Sequence, residues 1–313
     1  QMGYTFPLNL KMGDIVRTRP QTPHEPYPYA TEEVIFHNTA DNASLAGTIT
    51  YPIGFEKMKN VPVVLMVTGS GLQNRDEEVF EHKPFLVIAD YLARHGIATL
   101  RYDDRGFGKS TGDVKNATTE DFMRDASAGI EFLKKMKKFG RVGVLGHSEG
   151  GQIAFMLGKK GNVDFIVSMA GPGIKGDSII VEQNKAIMKQ NGMTGDMSVK
   201  QFREIIKTKE TNPWYRHFLD YDPSDDITST RCPVMAINGS LDTQVTAASN
   251  LMTIKRLLPA NKFNLIKEYA GLNHLFQHCT TGAVDEYAKS EETISPEVLA
   301  DIATWINSLN VKK

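Results

Sequence analysis

Short apolar runs recur along the chain from residue 61 onward, and segments with apolar residues at helical spacing lie between most of them. The first run, 61–67, is apolar throughout, which is typical of a strand buried on both faces of a parallel sheet. Further strand-like runs cover 97–100, 142–145, 165–169, 234–237 and 263–266. Helical spacing covers 85–94, 122–136, 245–258 and 296–309. This alternation predicts an α/β fold, with a mostly parallel central sheet flanked by helices on both faces.

The chain upstream of this alternation has a different character. We interpret residues 1–31 as an extended lead-in, since prolines between 20 and 28 lack a backbone donor and favour extended neighbours. Two strand-like segments follow at 33–37 and 45–51, and Asp41-Asn42 supplies a turn between them. The pair predicts an N-terminal antiparallel hairpin, packed either on the edge of the sheet or against a second chain.

One long segment interrupts the alternation, because no strand signal occurs between 169 and 234. Helical or aromatic segments occur there instead, at 179–188, 199–207 and 213–219. Structureless loops of this length are uncommon in compact domains. We therefore predict a helical cap at 177–230 that covers the ends of the strands. The two parts of the α/β core are then 32–176 and 231–313.

Composition and charge exclude some partners without indicating a site. A formal net charge of −1 gives no electrostatic footprint for nucleic acid. No apolar run approaches the roughly 18 residues that a membrane span needs. Cys232 and Cys279 form no metal or redox motif, and the sequence leaves open whether they pair, as it does the oligomeric state. Since the chain begins at Gln1, it also leaves open a removed signal peptide, and hence a cytoplasmic or an exported location.

The segment Gly-His-Ser-Glu-Gly at 146–150 lies where a predicted strand meets the start of a helical pattern. A serine in such a tight strand-to-helix turn needs small residues two positions before and two after it. The amides at the start of the new helix point at the serine and favour a developing oxyanion. The context predicts that Ser148 is a nucleophile, although the five-residue motif alone also fits a simple turn.

The partners that such a serine needs follow it in the order Asp, His. A serine hydroxyl is a weak nucleophile at neutral pH and needs an adjacent base that an acid orients. The run 234–237 leads into Asp242, and the run 263–266 leads into His274. Both lie at the exits of successive strands, where the partners of an elbow serine are expected. We predict a catalytic triad of Ser148, Asp242 and His274.

Rival residues for the acid and the base are less well placed. The aspartates within 222–226 lie in the predicted cap or its exit, not at the end of a strand, so Asp242 is preferred. His278 is four residues beyond His274 and could share a helical face with it. We interpret His147, next to the serine, as a packing or tuning residue.

Two backbone amides are predicted to bind the oxyanion. The first belongs to Glu149, the residue after the elbow serine. The second comes from the loop after the first buried strand, 68–72, where we assign the amide of Ser70 and keep Leu72 as the alternative. Glycines at 69 and 71 let this loop approach a substrate closely.

Taken together, these segments resemble the α/β-hydrolase superfamily, and more closely its bacterial carboxylesterases near the serine aminopeptidase-like hydrolases. The resemblance is carried by Thr-Gly-Ser-Gly at 68–71, Gln-Asn-Arg-Asp-Glu at 73–77, Asp-Asp-Arg-Gly-Phe-Gly-Lys-Ser at 103–110, Gly-His-Ser-Glu-Gly-Gly at 146–151, Asn-Gly-Ser-Leu-Asp at 238–242 and Leu-Asn-His at 272–274. It implies the α/β-hydrolase fold, the triad and a cap domain. Thr68 departs from the pattern, since many relatives have His there. The element at 103–110 looks structural in such proteins.

The sequence thus predicts a serine hydrolase that cleaves carboxylic esters of small molecules through an acyl-enzyme intermediate, with no metal or organic cofactor. A peptidase or amidase, or an acyl thioesterase, would use the same triad, and a non-catalytic binding protein on this scaffold is a further alternative. The residues predicted to line the substrate pocket are Leu72, Trp214, His217 and Phe218. The alternative for the aromatic residues is that they form the cap's own core.

Overall fold

A computed structural model describes residues 17–207 and 212–309, and within these ranges the strands form one eight-stranded sheet. The strands are β1 (Thr31–Asn38), β2 (Ala43–Thr50), β3 (Val63–Val67), β4 (Ala98–Tyr102), β5 (Val142–His147), β6 (Ile166–Met169), β7 (Val234–Gly239) and β8 (Leu265–Tyr269). Their order is β1-β2-β4-β3-β5-β6-β7-β8. The pairs from β4 to β8 are parallel, whereas β1 with β2 and β2 with β4 are antiparallel. The predicted mostly parallel sheet is confirmed.

Helices cover both faces of this sheet. The α-helices of the described residues are α1 (Pro84–Arg94), α2 (Thr119–Met136), α3 (Glu149–Lys160), α4 (Gly176–Gln190), α5 (Val199–Ile206), α6 (Pro213–Asp220), α7 (Ser224–Ser229), α8 (Asn250–Leu257), α9 (Val284–Tyr287) and α10 (Pro296–Ser308). Successive side chains of a strand point to opposite faces, so Leu65 of β3 packs in the cluster with α2, α3 and α8, and Met66 packs in the cluster with α1 and α10. The apolar runs therefore give two cores, one on each face.

The N-terminal hairpin pairs in register from Thr31 opposite Thr50 to Asn38 opposite Ala43. Asn42 takes a positive φ of 51° in the turn, a conformation that Asn tolerates better than most residues. β2 pairs with β4, so the hairpin extends the sheet at its edge, which is the first of the two packings that the sequence allows. Of the lead-in, residues 1–16 lie outside the described residues.

Helices α4, α5 and α6 lie between β6 and β7, within the segment where the sequence predicts a cap. They share a small apolar cluster that also takes in one residue from the loop after β7: Ile179, Phe202, Tyr215, Phe218, Leu219 and, from that loop, Val245. Arg203 of α5 joins two of these helices, since its guanidinium donates to Asp177 of α4 at 2.8 and 2.9 Å. Pro213 occupies the first turn of α6, and the side chain of Asn212 accepts from the Tyr215 amide at 3.2 Å.

Two short helices have no counterpart among the predicted elements. α7 and α9 are too short to give a helical period, so the pattern of apolar residues does not reveal them. α7 falls within 177–230, yet its Ile227 belongs to the core cluster of the sheet and not to that of α4–α6. The predicted helix at 245–258 begins only at Asn250. Among the described residues, no helix is both long and apolar enough to cross a membrane.

Candidate active site

Ser148 lies in the turn between β5 and α3 with φ 54° and ψ −118°, a strained conformation for a residue other than glycine. The turn is crowded on both sides. A Cβ on Gly146 would lie 1.9 Å from the carbonyl oxygen of Gly150, and one on Gly150 would lie 2.1 Å from that of Val67. Only glycine fits these two positions, so the small residues of the motif are required by the backbone of the turn.

Asp242 and His274 lie on the loops that follow β7 and β8, close to each other and buried. The Nδ1 of His274 is 2.7 Å from Oδ2 of Asp242. The other carboxylate oxygen of Asp242 accepts from the backbone amides of Gln244 at 2.8 Å and Val245 at 2.9 Å, which fixes the carboxylate on its loop. A carboxylate on Nδ1 directs the other ring nitrogen, Nε2, to act as the base.

A second pair of a histidine and a carboxylate lies beside the first. His147 Nδ1 is 3.0 Å from Oε1 of Glu77, and its Nε2 is 2.9 Å from the backbone carbonyl of His274. The ring centroids of the two histidines are 4.7 Å apart. Burial lowers the pKa of His147, but the Glu77 charge and the carbonyl of His274 raise it by more, so its pKa lies above the ordinary value. Both nitrogens of His147 can then donate, and the ring anchors the loop that carries His274.

The loop after β3 is held at both ends by a buried carboxylate. Asp104 accepts from the Thr68 hydroxyl at 3.0 Å and from the Gln73 amide at 2.8 Å. Burial raises the pKa of this carboxyl well above its ordinary value. Thr68, the departure from the family pattern, is thus the residue whose hydroxyl bonds the start of the loop to Asp104. The element at 103–110 has a structural contact here, in line with its sequence-based interpretation.

The amides of this loop differ in what they contact. The Gly69 amide already donates to Oε1 of Glu77 at 2.8 Å, so it is occupied. Ser70 lines the cavity in front of Ser148, whereas Leu72 is not among the lining residues. The arrangement favours Ser70 over Leu72 as the second oxyanion donor, which stays a prediction.

A cavity of about 760 Å³ opens in front of Ser148, His274 and the loop after β3. Its apolar lining comes from helices α4–α6 and from several loops around the site, and it includes Ile180, Phe202, Trp214, Tyr215, Phe218 and Leu275. Phe218 belongs both to this wall and to the small core of α4–α6, so the two interpretations of the aromatic segment do not exclude each other.

Two predicted lining residues need correction. Leu72 and His217 are absent from the wall of the cavity. On α6, Trp214 and Phe218 are one turn apart and share the face that looks into the cavity, whereas His217 lies on another face. The ring of His217 contacts that of Tyr221, with 5.3 Å between centroids, and its Nε2 is 3.7 Å from Glu120 at the start of α2.

The described wall of the cavity carries little charge. It contains no Lys or Arg, and Glu77 is its one carboxylate, already bound to His147 and Gly69. Glu182 lies outside this wall and accepts from the hydroxyls of Thr246 and Ser249 at 2.6 and 2.7 Å. Glu204 is exposed and Glu210 lies outside the described residues.

Among the residues that the structure describes, no group of three or more His, Cys, Asp or Glu could hold a metal ion. Cys232 and Cys279 are both free.

The family model described as serine aminopeptidase, S33, matches residues 82–256, which is more than half of the chain. The chain belongs to this Hydrolase_4 family. The match begins just before α1 and ends in α8, so it includes the elbow of Ser148 and the loop of Asp242 but stops short of His274.

Individual proteins similar to this chain are named as esterases. Esterase EstD of Thermotoga maritima is 26% identical over 273 residues, which are 84% of this chain and 65% of that protein. This chain therefore spans about two thirds of the length of this curated relative. The Pyrococcus furiosus esterase Pf2001 has a TM-score of 0.60 at 18% identity, covering 95% of this chain and 99% of its own. Est1E from Butyrivibrio proteoclasticus has a TM-score of 0.59 at 13% identity, covering 90% and 99%. These structures show the α/β-hydrolase fold.

The fold thus brings Ser148, His274 and Ser70 to one cavity, and Asp242 contacts the His274 ring from outside the cavity wall. Sequence reasoning missed Glu77, which lies in the quoted segment 73–77 but reaches His147 only through the fold. It also missed the side chain of Glu149, which is buried against the start of α2 and against α6. The one available signal was an acidic residue in the middle of an otherwise uncharged elbow.

Proposed function

We propose that this protein is a serine hydrolase that cleaves carboxylic esters of neutral small molecules through an acyl-enzyme intermediate. The observation that carries the proposal is the 2.7 Å contact between Asp242 and Nδ1 of His274. The ring of His274 lines the same cavity as Ser148. Relatives named as esterases from Thermotoga maritima and Pyrococcus furiosus support the same reaction class.

In the first half of the reaction, Ser148 attacks the ester carbonyl while Nε2 of His274 takes the hydroxyl proton. Asp242 keeps the proton of the neutral ring on Nδ1 and stabilises the imidazolium that forms. The amides of Ser70 and Glu149 bind the oxyanion, and His274 returns its proton to the leaving alcohol. Water then attacks the acyl-enzyme with His274 again as the base, which regenerates Ser148.

The charge of the cavity favours esters over peptides with a free N-terminus. An aminopeptidase needs an anionic group to bind the ammonium of its substrate. Glu77 is the one carboxylate in the described wall, and it is already paired with His147 and the Gly69 amide. The same wall has no Lys or Arg for an anionic acyl group. A neutral acyl group against the apolar side chains of the cavity fits this lining best.

We further propose that α4–α6 act as a cap over the site, within the predicted segment 177–230. Trp214 and Phe218 stack with 5.6 Å between centroids and form an aromatic wall for the acyl group or the alcohol. The core that carries the triad then comprises 32–176 and 231–313, with α7 packed on that core.

Replacing Ser148 with Ala tests the proposal. The variant should lose at least about 10⁴-fold in kcat on p-nitrophenyl butyrate, because the nucleophile is gone while the cavity stays. Ser229→Ala on α7 is the matched control and should keep wild-type turnover. Full activity in Ser148→Ala would overturn the assignment.

A fluorophosphonate probe distinguishes an enzyme from a binding protein on the same scaffold. The probe should label the wild type at Ser148 and leave Ser148→Ala unlabelled. Initial rates on matched esters, anilides and acyl thioesters then rank the chemistries that one triad permits. Faster turnover of an anilide than of its ester would replace the esterase with an amidase.

A further inference from the structure

A buried carboxylate lies beside the nucleophile and has no role in the reaction as written. Glu149 follows Ser148, begins α3 and is only 4% exposed. Burying a charged or polar group is costly unless hydrogen bonds compensate, and burial raises the pKa of this carboxyl. The tight turn requires small residues at 146 and 150 but sets no such demand at 149. The burial of a Glu at 149 therefore needs a separate explanation.

The hydrogen bonds of Glu149 join two other parts of the molecule. Its Oε1 accepts from the Thr119 hydroxyl of α2 at 2.6 Å and from the indole nitrogen of Trp214 on α6 at 2.8 Å. Ser70, in the loop after β3, is near enough to lower the pKa of this carboxyl, against the larger effect of burial. One carboxylate thus joins the start of α2 to the proposed cap, directly beside the nucleophile.

The bond to Trp214 is the specific link to the cap. An indole N–H can only donate, so it needs an acceptor when it is buried. The ring of the same residue stacks on Phe218 and lines the cavity. The neighbouring pair of His217 with Glu120 is 3.7 Å long and does not replace this bond.

Both proposed oxyanion amides belong to this part of the site. Glu149 supplies one amide from its own backbone, and Ser70, which supplies the other, lies near its side chain. A shift of Glu149 therefore disturbs the oxyanion hole, and a shift of Trp214 is transmitted to Glu149 through a single hydrogen bond.

We propose that Glu149 is a positioning residue that links the aromatic wall of the cap to the oxyanion hole, through the bond of its side chain to Trp214 and the amide of its own backbone. The inference rests on the proposed ester hydrolysis for its kinetic part. Its consequence is that the fit of the acyl group against Trp214 and the stabilisation of the transition state are coupled, so loss of the bond lowers kcat more than it changes KM.

The sharpest test removes one hydrogen-bond donor and keeps the ring. Trp214→Phe retains an aromatic wall but cannot donate to Glu149. The chain contains two tryptophans, and Trp305 on α10 donates its indole N–H to the carbonyl of Phe263 at 2.7 Å. Trp305→Phe is thus a matched control that loses the same kind of bond away from the cavity. We expect kcat to fall about 10-fold to 100-fold in Trp214→Phe and to stay unchanged in Trp305→Phe; equal kcat values in the two variants would overturn the proposal.

Changes at Glu149 separate hydrogen bonding from charge. The amide oxygen of Glu149→Gln can still accept from Thr119 and Trp214, so this variant should recover most of the kcat that Glu149→Ala loses. A Gln variant as slow as the Ala variant would count against the role as acceptor. If Glu149→Ala does not fold, the two tryptophan variants still decide the question.

A measurement without substrate keeps this proposal distinct from the proposed function. In the Trp305→Phe background, the tryptophan fluorescence of this chain comes from Trp214 alone. Acrylamide should quench this emission more strongly after Glu149→Ala than after Glu149→Gln, because only the Ala variant releases the indole. Wild-type protein that hydrolyses no ester but shows this difference would refute the esterase and keep the link; quenching equal in both variants would refute the link.

Discussion

The two histidine–carboxylate pairs at the base of the cavity are built from the same groups, with ring centroids 4.7 Å apart. In the pair of His274 and Asp242, one ring nitrogen contacts the carboxylate and the ring lines the cavity. In the pair of His147 and Glu77, one nitrogen contacts the carboxylate and the other contacts the backbone of His274. The comparison teaches that a carboxylate partner does not make a histidine a base. Under the proposed function, the deciding feature is the second nitrogen, which in His147 already contacts a backbone carbonyl.

The largest expected effect separates His274 from a nearby histidine. His274→Ala should lower kcat on p-nitrophenyl butyrate by at least about 10⁴-fold, since it removes the proposed base from a triad that acts as a unit. His278→Ala is the control: this side chain is mostly exposed and 2.9 Å from Glu292, so its loss should leave kcat unchanged. If His278→Ala were the inactive variant, the assignment of the base would move to His278.

Asp242→Asn should have the next largest effect, about 10³-fold to 10⁴-fold in kcat, because an amide N–H facing Nδ1 favours the wrong tautomer of His274. Asp225→Asn provides the comparison, since Asp225 is a rival acid whose carboxylate instead pairs with Lys159 at 2.5 Å. Steady-state kinetics with a circular dichroism check of folding measures both. Comparable losses in the two variants would mean that neither acid is specific to the site.

A smaller effect is expected from Glu77→Gln in the second pair. The amide oxygen can still accept from Gly69, but the charge beside His147 is lost. We expect the free energy of unfolding to fall by about 1–3 kcal/mol and kcat by about tenfold, since the loop of His274 loses part of its anchor. Glu182→Gln, which faces only hydroxyl groups, should change neither quantity much. A loss in kcat as large as that of His274→Ala would make the second pair catalytic.

The smallest effect is a dependence of stability on pH. Because the pKa of His147 is raised in the folded protein, its ion pair with Glu77 stabilises fully below the unfolded pKa of about 6.5 and is lost as pH rises through the folded pKa. The difference in unfolding free energy between wild type and Glu77→Gln should therefore shrink on going to alkaline pH. Urea denaturation across this range measures it, and a constant difference would show that His147 stays neutral.

The same comparison explains what the sequence could predict. Asp242 and His274 were recognisable because strand exits in a parallel sheet meet at one edge, so their positions along the chain imply proximity. Glu77 is 70 residues from His147 and lies in a segment with no regular structure, so no period or spacing places it. Its contact arises from tertiary packing alone.

Side-chain direction was a second source of error. The aromatic segment at 213–219, part of the predicted helical cap, forms α6, and one turn of spacing puts Trp214 and Phe218 on the same face. The sequence does not tell which face looks inward, so His217 was assigned to the cavity together with its neighbours. Similarly, the sequence does not tell which of Ser70 and Leu72 lines the cavity; in the structure Ser70 does, and its role as oxyanion donor stays a prediction.

The antiparallel hairpin has a consequence for how the protein behaves at high concentration. Without β1 and β2, the fully buried strand β4 would end the sheet and present unpaired backbone groups to other chains. β1 replaces this edge with a strand whose first residues, Thr31, Glu32 and Glu33, are all exposed. Charged side chains on an outer strand disfavour edge-to-edge pairing. At this edge of the sheet, the hairpin therefore disfavours aggregation of the folded chain.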